Sequence, residues 1–298
     1  MKFGKVDNPG ELDLALPADH SETRRVLALG ARENDKPAIH IGCAKWNKAD
    51  LKNFYPRGTG NKELEYYSTQ FNCIELNAFF YRIFPPSTVE KWYERSEADF
   101  VFFPKVPQLI SQFKRLVDCE AELDDYLHSI SYFKEKLGTC FLQMHPTFKP
   151  DKFDQLAKFV ETWPKDVKLS VELRHTDWYN DVSTANQLYH LLEENGVSNT
   201  ITDTAGRRDL MHMRLTSPSC FVRYTGANHT SDYDRLDDWF DRIKIWSDQG
   251  IEEINFFVHQ NMEVESPLLS AHLIKRLNSE LGYQLTVPNV LGQQNNLF

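Results

Sequence analysis

Lys168-Leu169-Ser170-Val171-Glu172-Leu173-Arg174 is the stretch that decides the fold. Successive residues of a strand point to opposite faces. Leu169, Val171 and Leu173 therefore share an apolar face, and Ser170, Glu172 and Arg174 share a polar one. The apolar set is expected to pack on helices and the polar set to face the interior. Working outward, similar short runs recur at Ala38–Cys43, Asn72–Asn77, Phe100–Lys105 and Thr139–Met144. They continue at Val197–Asp203, Cys220–Thr225 and Glu253–His259. The spacing is about 30 residues, the size of one strand–helix–strand unit.

Between the runs the apolar period becomes helical. Leu123, Tyr126, Leu127, Ile130 and Phe133 form one stripe, and Leu188, Leu191 and Leu192 another; both read as core packing. Ser87-Thr88-Val89-Glu90 has the spacing of a capping box. Gly138, Gly196 and Gly250 stand where a helix would end in a left-handed residue before the next strand. Strands alternating with helices imply a parallel sheet covered by helices. Eight such units predict a single-domain α/β fold, a TIM-type (β/α)8 barrel over residues 38–298. Residues 1–37, with Pro9, Gly10 and Pro17 among many charges, are expected to form an N-terminal arm on the barrel. An open doubly wound sheet competes less well, because no Gly-x-Gly-x-x-Gly or P-loop pattern follows any run.

Of 298 residues, 41% are hydrophobic, enough for a sizeable core. No apolar run reaches the roughly 20 residues that span a bilayer. No basic flank with an apolar stretch marks the N-terminus, so a cytoplasmic protein with no membrane partner is expected. Asp and Glu number 43 against 34 Lys and Arg, which argues against general nucleic-acid binding. The five cysteines form no Cys-x-x-Cys pair. They read as reduced core residues, with Cys43 the one place for a catalytic thiol.

In a barrel, chemistry sits at the C-terminal ends of the strands. Parity there selects three carboxylates, Glu75, Glu172 and Asp203, as candidate catalytic groups. Three cations, Lys105, Arg174 and Arg223, join Asn77, Gln143, His259 and Asn261 as candidate substrate-binding groups. Tyr81 and Trp178, among the aromatics that follow the runs, complete the binding set. Buried charges are costly unless paired or liganded, so the set reads as either a polar site or a salt-bridge lattice.

These residues also carry a resemblance. Phe54-Tyr55-Pro56, Tyr66-Tyr67, Ile74-Glu75-Leu76-Asn77 and Phe80-Tyr81 resemble the opening of the YecE-like family, the domain of unknown function numbered 72. Trp92, Phe100 to Lys105, Leu142-Gln143, Val171-Glu172-Leu173-Arg174-His175 with Trp178, and Arg223-Tyr224-Thr225-Gly226 continue it in order. The resemblance runs from Ile39 to the C-terminus and implies a TIM-type barrel without supplying a reaction. Two departures stand out. This chain has Ser111-Gln112 where the family tends to have Thr-His, and Tyr224-Thr225 where it has Phe-His. Histidine chemistry would then have to rest on His145, His175 or His259.

The expected function is acid–base catalysis by Glu172 on a small, polar, phosphate- or carboxylate-bearing substrate. Hydrolase, lyase or isomerase chemistry without a redox cofactor fits this reading, and no metal is expected. A glycosidase is disfavoured, since Gln143 and Arg223 end the fourth and seventh runs where it would need carboxylates. The alternatives are a divalent-metal phosphoester hydrolase using Glu172, Asp203 and His259, with Glu75 as a further ligand, and a non-catalytic protein that binds an anionic metabolite.

Overall fold

The computed structural model describes residues 4–30 and 35–290. Both ends of the expected arm–barrel division, residues 1–3 and 291–298, and residues 31–34 lie outside this range.

Among the described residues there are nine strands: β1 (Ala38–Cys43), β2 (Cys73–Leu76), β3 (Val101–Pro104), β4 (Cys140–Gln143), β5 (Leu169–Glu172), β6 (Ser198–Asn199), β7 (Ile201–Thr204), β8 (Ser219–Gly226) and β9 (Glu253–Gln260). Every pairing is parallel. The strands form three sheets, in the orders β1-β9-β8-β7, β2-β3 and β4-β5-β6. β6 and β7 fall within one of the runs read from the sequence, Val197–Asp203, interrupted at Thr200. Thr200 still donates its N–H to the Val171 carbonyl at 2.9 Å.

Hydrogen bonds also cross between sheets. Val106 N–H reaches the Phe141 carbonyl (2.9 Å) and Gly138 N–H the Phe102 carbonyl (2.8 Å), linking β3 to β4. The Asn72 side chain joins β1 to the start of β2, donating to Ile39 O at 2.7 Å and accepting from Ile41 N at 3.1 Å.

The helices are α1 (Thr23–Leu27), α2 (Glu63–Gln70), α3 (Ala78–Tyr81), α4 (Pro86–Arg95), α5 (Glu120–Ile130), α6 (Phe153–Thr162), α7 (Asp177–Asn180), α8 (Val182–Glu194), α9 (Ser231–Gln249) and α10 (Ser266–Leu281). None is long and apolar enough to cross a membrane among the described residues. The expected capping box is not formed. α4 opens at Pro86, with Ser87 inside its first turn and no side-chain cap. Proline is suited to that first position because the N–H it lacks has no helical partner there. Gly250 does end α9 in the left-handed region, at φ 108°. Gly138 does not; a Cβ there would stand 2.8 Å from the Phe103 ring, so close approach is what requires glycine.

Two layers of core follow from strand parity. Leu142, Val171 and Leu173 pack outward with helix residues such as Leu156, Leu188 and Leu192. Val222, Val258 and Ile254 do the same against Trp239, Ile243 and Leu273 of α9 and α10. On the face turned away from the helices, Phe103, Phe141, Phe221 and Phe257 pack together with Cys73. All five cysteines are buried and unpaired. Burial pushes the Cys43 thiol up, which removes the thiolate that a catalytic role there would need.

The described part of the N-terminal segment is tied to later elements. Gly206 N–H donates to Gly4 O, and His20 N–H to Met213 O. Asp19 accepts from Arg242 and Trp246 of α9.

Candidate functional site

Two residues beyond the inner phenylalanine layer, toward the C-terminal ends of the strands, parity places Glu75, Lys105, Gln143, Glu172 and Arg223 on the same face. The structure brings these five together. Arg223 sits at the centre. Its Nε and Nη2 donate to the two oxygens of Glu75, both at 2.9 Å, and its Nη1 donates to Glu172 at 2.7 Å. Glu75 also accepts from Asn77 Nδ2 at 2.8 Å and lies 2.9 Å from His259 Nε2. Glu172 also accepts from Arg174 Nε at 2.5 Å and from Gln143 Nε2 at 2.8 Å. Bidentate arginine pairs of this kind are the strong form of charged hydrogen bond.

Both carboxyl groups are buried, at 0% and 1% exposure. For Glu172 burial is the largest influence and acts upward, but Arg174 and Arg223 together outweigh it and hold the group far below the usual range. Glu75 follows the same pattern, with Arg223 and then His259 outweighing burial. The arginine pairing weighs against the expected acid–base role of Glu172. A carboxylate held so strongly ionised is a weak base and no acid at neutral pH.

The sign of the linkage is plain. Both folded-state values lie below the unfolded value of 4.5. Their stabilisation is therefore present above pH 4.5 and is lost as the pH falls below it. Urea unfolding from pH 6 to pH 3 is expected to show stability falling with acid, and Glu172→Gln should reduce that slope. An unchanged slope would remove Glu172 as its source.

Lys105 is different. It is 6% exposed, and no carboxylate among the described residues pairs with its ammonium group. Its Nζ donates to Gln143 Oε1 at 2.9 Å and stands 4.2 Å from the Phe80 ring centroid, with Phe141 at 5.4 Å. The Gln143 amide is fixed in this sense because its other end donates to Glu172. The two guanidiniums bond directly to the two carboxylates, whereas Lys105 bonds to neither. Burial first, and then Arg223, lower its pKa to about 7.

The remaining candidates divide. Tyr81, on α3, is 72% exposed and lines a cleft of about 230 Å³ with Trp46, Asn47, Glu75 and Asn77. Hollows of about 340 and 390 Å³ open beside the N-terminal ends of strands, so size alone does not select the site. Asn261 is exposed at the end of β9, its N–H 3.4 Å from Gly226 O. Trp178 is not at the site. It is fully buried in the helix-side core, stacked on Phe148 and donating to Phe148 O at 2.8 Å.

Asp203 is also elsewhere, on the helix side of β7. It accepts from Arg235 (2.6 Å) and Trp239 (2.7 Å) of α9 and from Arg208 (2.5 Å). Asp203 thus does not join Glu75, Glu172 and His259 as the metal-hydrolase alternative requires, and no cluster of three potential metal-holding groups forms among the described residues. Gln112 and Phe80 also border the cluster, Phe80 through its ring beside Lys105. Gln112 Nε2 donates to the Gln143 backbone carbonyl at 2.6 Å; its place after β3, at one of the two departures from the family pattern, is the signal that points to it.

With the geometry in hand, the chain can be compared with known proteins. The family described as "Protein of unknown function DUF72" matches residues 40–290. The chain belongs to the DUF72 family. Among curated relatives, UPF0759 protein YecE of Escherichia coli K12 is 26% identical over 281 residues, covering 87% of this chain and 100% of that protein. UPF0759 protein YunF of Bacillus subtilis 168 is 29% identical over 155 residues, covering 48% and 52%. A DUF72 crystal structure from Enterococcus faecalis V583 aligns with TM-score 0.67 at 20% identity, covering 82% of this chain and 99% of that one. One from Thermotoga maritima MSB8 gives 0.65 at 20% identity, with 81% and 99% covered. These likenesses establish the DUF72 fold for this chain, and the residues of the Arg223 cluster lie within the matched span.

Proposed function

We propose that this DUF72 protein is an acid–base enzyme for a small anionic substrate, with Lys105 rather than Glu172 moving the proton. The three sheets are read as the wall of a closed TIM-type (β/α)8 barrel, with residues 1–37 as its arm and the cluster at its mouth. The observation that carries the reading is the charge of Lys105, bonded to neither carboxylate of the cluster, beside two guanidiniums. A phosphate or carboxylate would supply the missing negative charge, and a lysine poised near neutrality can accept and return a proton. Arg174, Arg223, Gln143, Asn77, His259, Tyr81 and Asn261 are then substrate-side groups. Of the cluster, Glu75 and Asn77 also line the cleft of about 230 Å³ beside Tyr81, the space that this reading gives to a small metabolite. Five buried, unpaired cysteines fit a reducing, cytoplasmic setting.

A non-catalytic anion binder is the second reading, favoured by the full pairing of Glu75 and Glu172. A thermal-shift screen of small carboxylates and phosphates tests what the two share. Saturation at about 100 times Kd adds ~2.7 kcal/mol, or roughly 5 °C at this chain length. The shift is expected in the wild type and should be largely lost in Lys105→Met. Equal shifts in both proteins would place the anion elsewhere, and no shift in either would sink the reading. Turnover in the wild type of a compound that shifts it, absent in Lys105→Met, would separate enzyme from binder.

A further inference from the structure

We infer that the substrate class is a small 2-oxo acid and that Lys105 Nζ adds to its carbonyl carbon to form an imine. This rests on the anion-site reading and goes beyond it by assigning a covalent role. The geometry is that of an activated amine. Nζ is held by one neutral acceptor, Gln143 Oε1 at 2.9 Å, between the Phe80 and Phe141 rings. An amine desolvated beside other cations is the known way to obtain a nucleophilic lysine at neutral pH. Ring faces attract an ammonium ion, but burial and the arginines act in the opposite sense and prevail, lowering the group to about 7. At pH 7 this gives about a thousandfold more free amine than an ordinary lysine has.

The substrate carboxylate would answer the positive charge that Lys105, Arg174 and Arg223 bring together. Its carbonyl carbon would lie toward Nζ. The amine lone pair forms the C–N bond, and the carbonyl oxygen takes up a proton. Water then leaves, carrying that oxygen and both amine hydrogens, so that a C=N bond remains. Nothing is oxidised or reduced. Glu75 and Glu172, held ionised, favour the positive charge of a protonated imine.

The test uses the full chain with pyruvate as probe and sodium cyanoborohydride as trap, near pH 7, read by intact mass and peptide mapping. The result expected is one adduct, on Lys105, absent in Lys105→Arg, which keeps a cation but has no such amine. Trapping at this site should already be near half its maximal rate at pH 7. Lactate, which has the carboxylate but no carbonyl, should stabilise the wild type without being trapped. Adducts scattered over exposed lysines with Lys105 unmodified would overturn the imine. If lactate and pyruvate then still stabilised the wild type but not Lys105→Met, the anion site alone would stand. If neither compound stabilised the wild type and no adduct formed on Lys105, the imine and the small-carboxylate form of the underlying reading would fall together.

Discussion

Arg223→Met is expected to lower the unfolding free energy by about 3–5 kcal/mol, because it leaves two carboxylates buried without their shared cation. Glu75 would lose both of its arginine bonds, and Glu172 would lose the bond from Arg223 while keeping those from Arg174 and Gln143. At roughly 2 °C per kcal/mol for a chain of this length, the melting temperature should fall by about 6–10 °C. The loss should shrink when the charge is removed on both sides. In Arg223→Met with Glu75→Gln, urea unfolding should recover a measurable part of it, since a neutral amide costs less to bury than an ion. A single variant as stable as the wild type would show that the arginine contributes only charge balance and no structure. The pH response provides a second readout. With Arg223 gone, Glu75 and Glu172 lose their largest and second-largest downward influences respectively. Their contribution should then disappear at higher pH than in the wild type.

Asp203→Ala should cost a similar ~3–5 kcal/mol while leaving the response to carboxylates and phosphates unchanged. Arg235, 2% exposed, would retain Asp232 at 3.2 Å as its carboxylate partner. The indole N–H of Trp239 would be left without its acceptor in the core, and an unsatisfied buried donor costs about 1–3 kcal/mol by itself. Equilibrium unfolding and a thermal-shift titration on the same variant separate the two effects. A lost ligand response at preserved stability would return Asp203 to the site and overturn the helix-side assignment. The comparison also separates two buried networks of similar chemistry, one at the strand ends and one that locks α9 to β7.

The contrast between these networks shows what alternation alone could reveal. In Val197–Asp203 the apolar residues Val197 and Ile201 fall on the same face as Asp203, opposite Ser198, Thr200 and Thr202. The period therefore already pointed Asp203 toward the helices, and assigning it to the interior gave its charge more weight than its position. What the run could not reveal is the partners, since Arg235 and Trp239 lie on α9, some thirty residues later in the chain. Trp178 was misplaced for a related reason. An aromatic following a strand reads as a lid, and only packing against Phe148 and a bond to its carbonyl make it core. The capping box failed because Pro86, one residue earlier, starts α4 on backbone geometry alone. By contrast, Glu75, Lys105, Gln143, Glu172, Arg223 and His259 were legible together. Each lies at the end of an apolar run with its parity intact, and parallel pairing carries equal parity to one face.

The sequence by itself determined the alternating strand–helix order, the inward polar face and the identity of the charges gathered there, because these depend on local period and residue type. It could not determine which cation bonds to neither carboxylate of the cluster. Glu172, the residue that looked reactive, is neutralised by Arg174 beside it and by Arg223 from a strand fifty residues away. Lys105, which looked like one more cation, receives only an amide oxygen and two rings. Reactivity here is a matter of electrostatic balance at distances of 3–5 Å among residues from five strands. Only the tertiary structure sets those distances, through the burial that strengthens every unpaired charge it encloses.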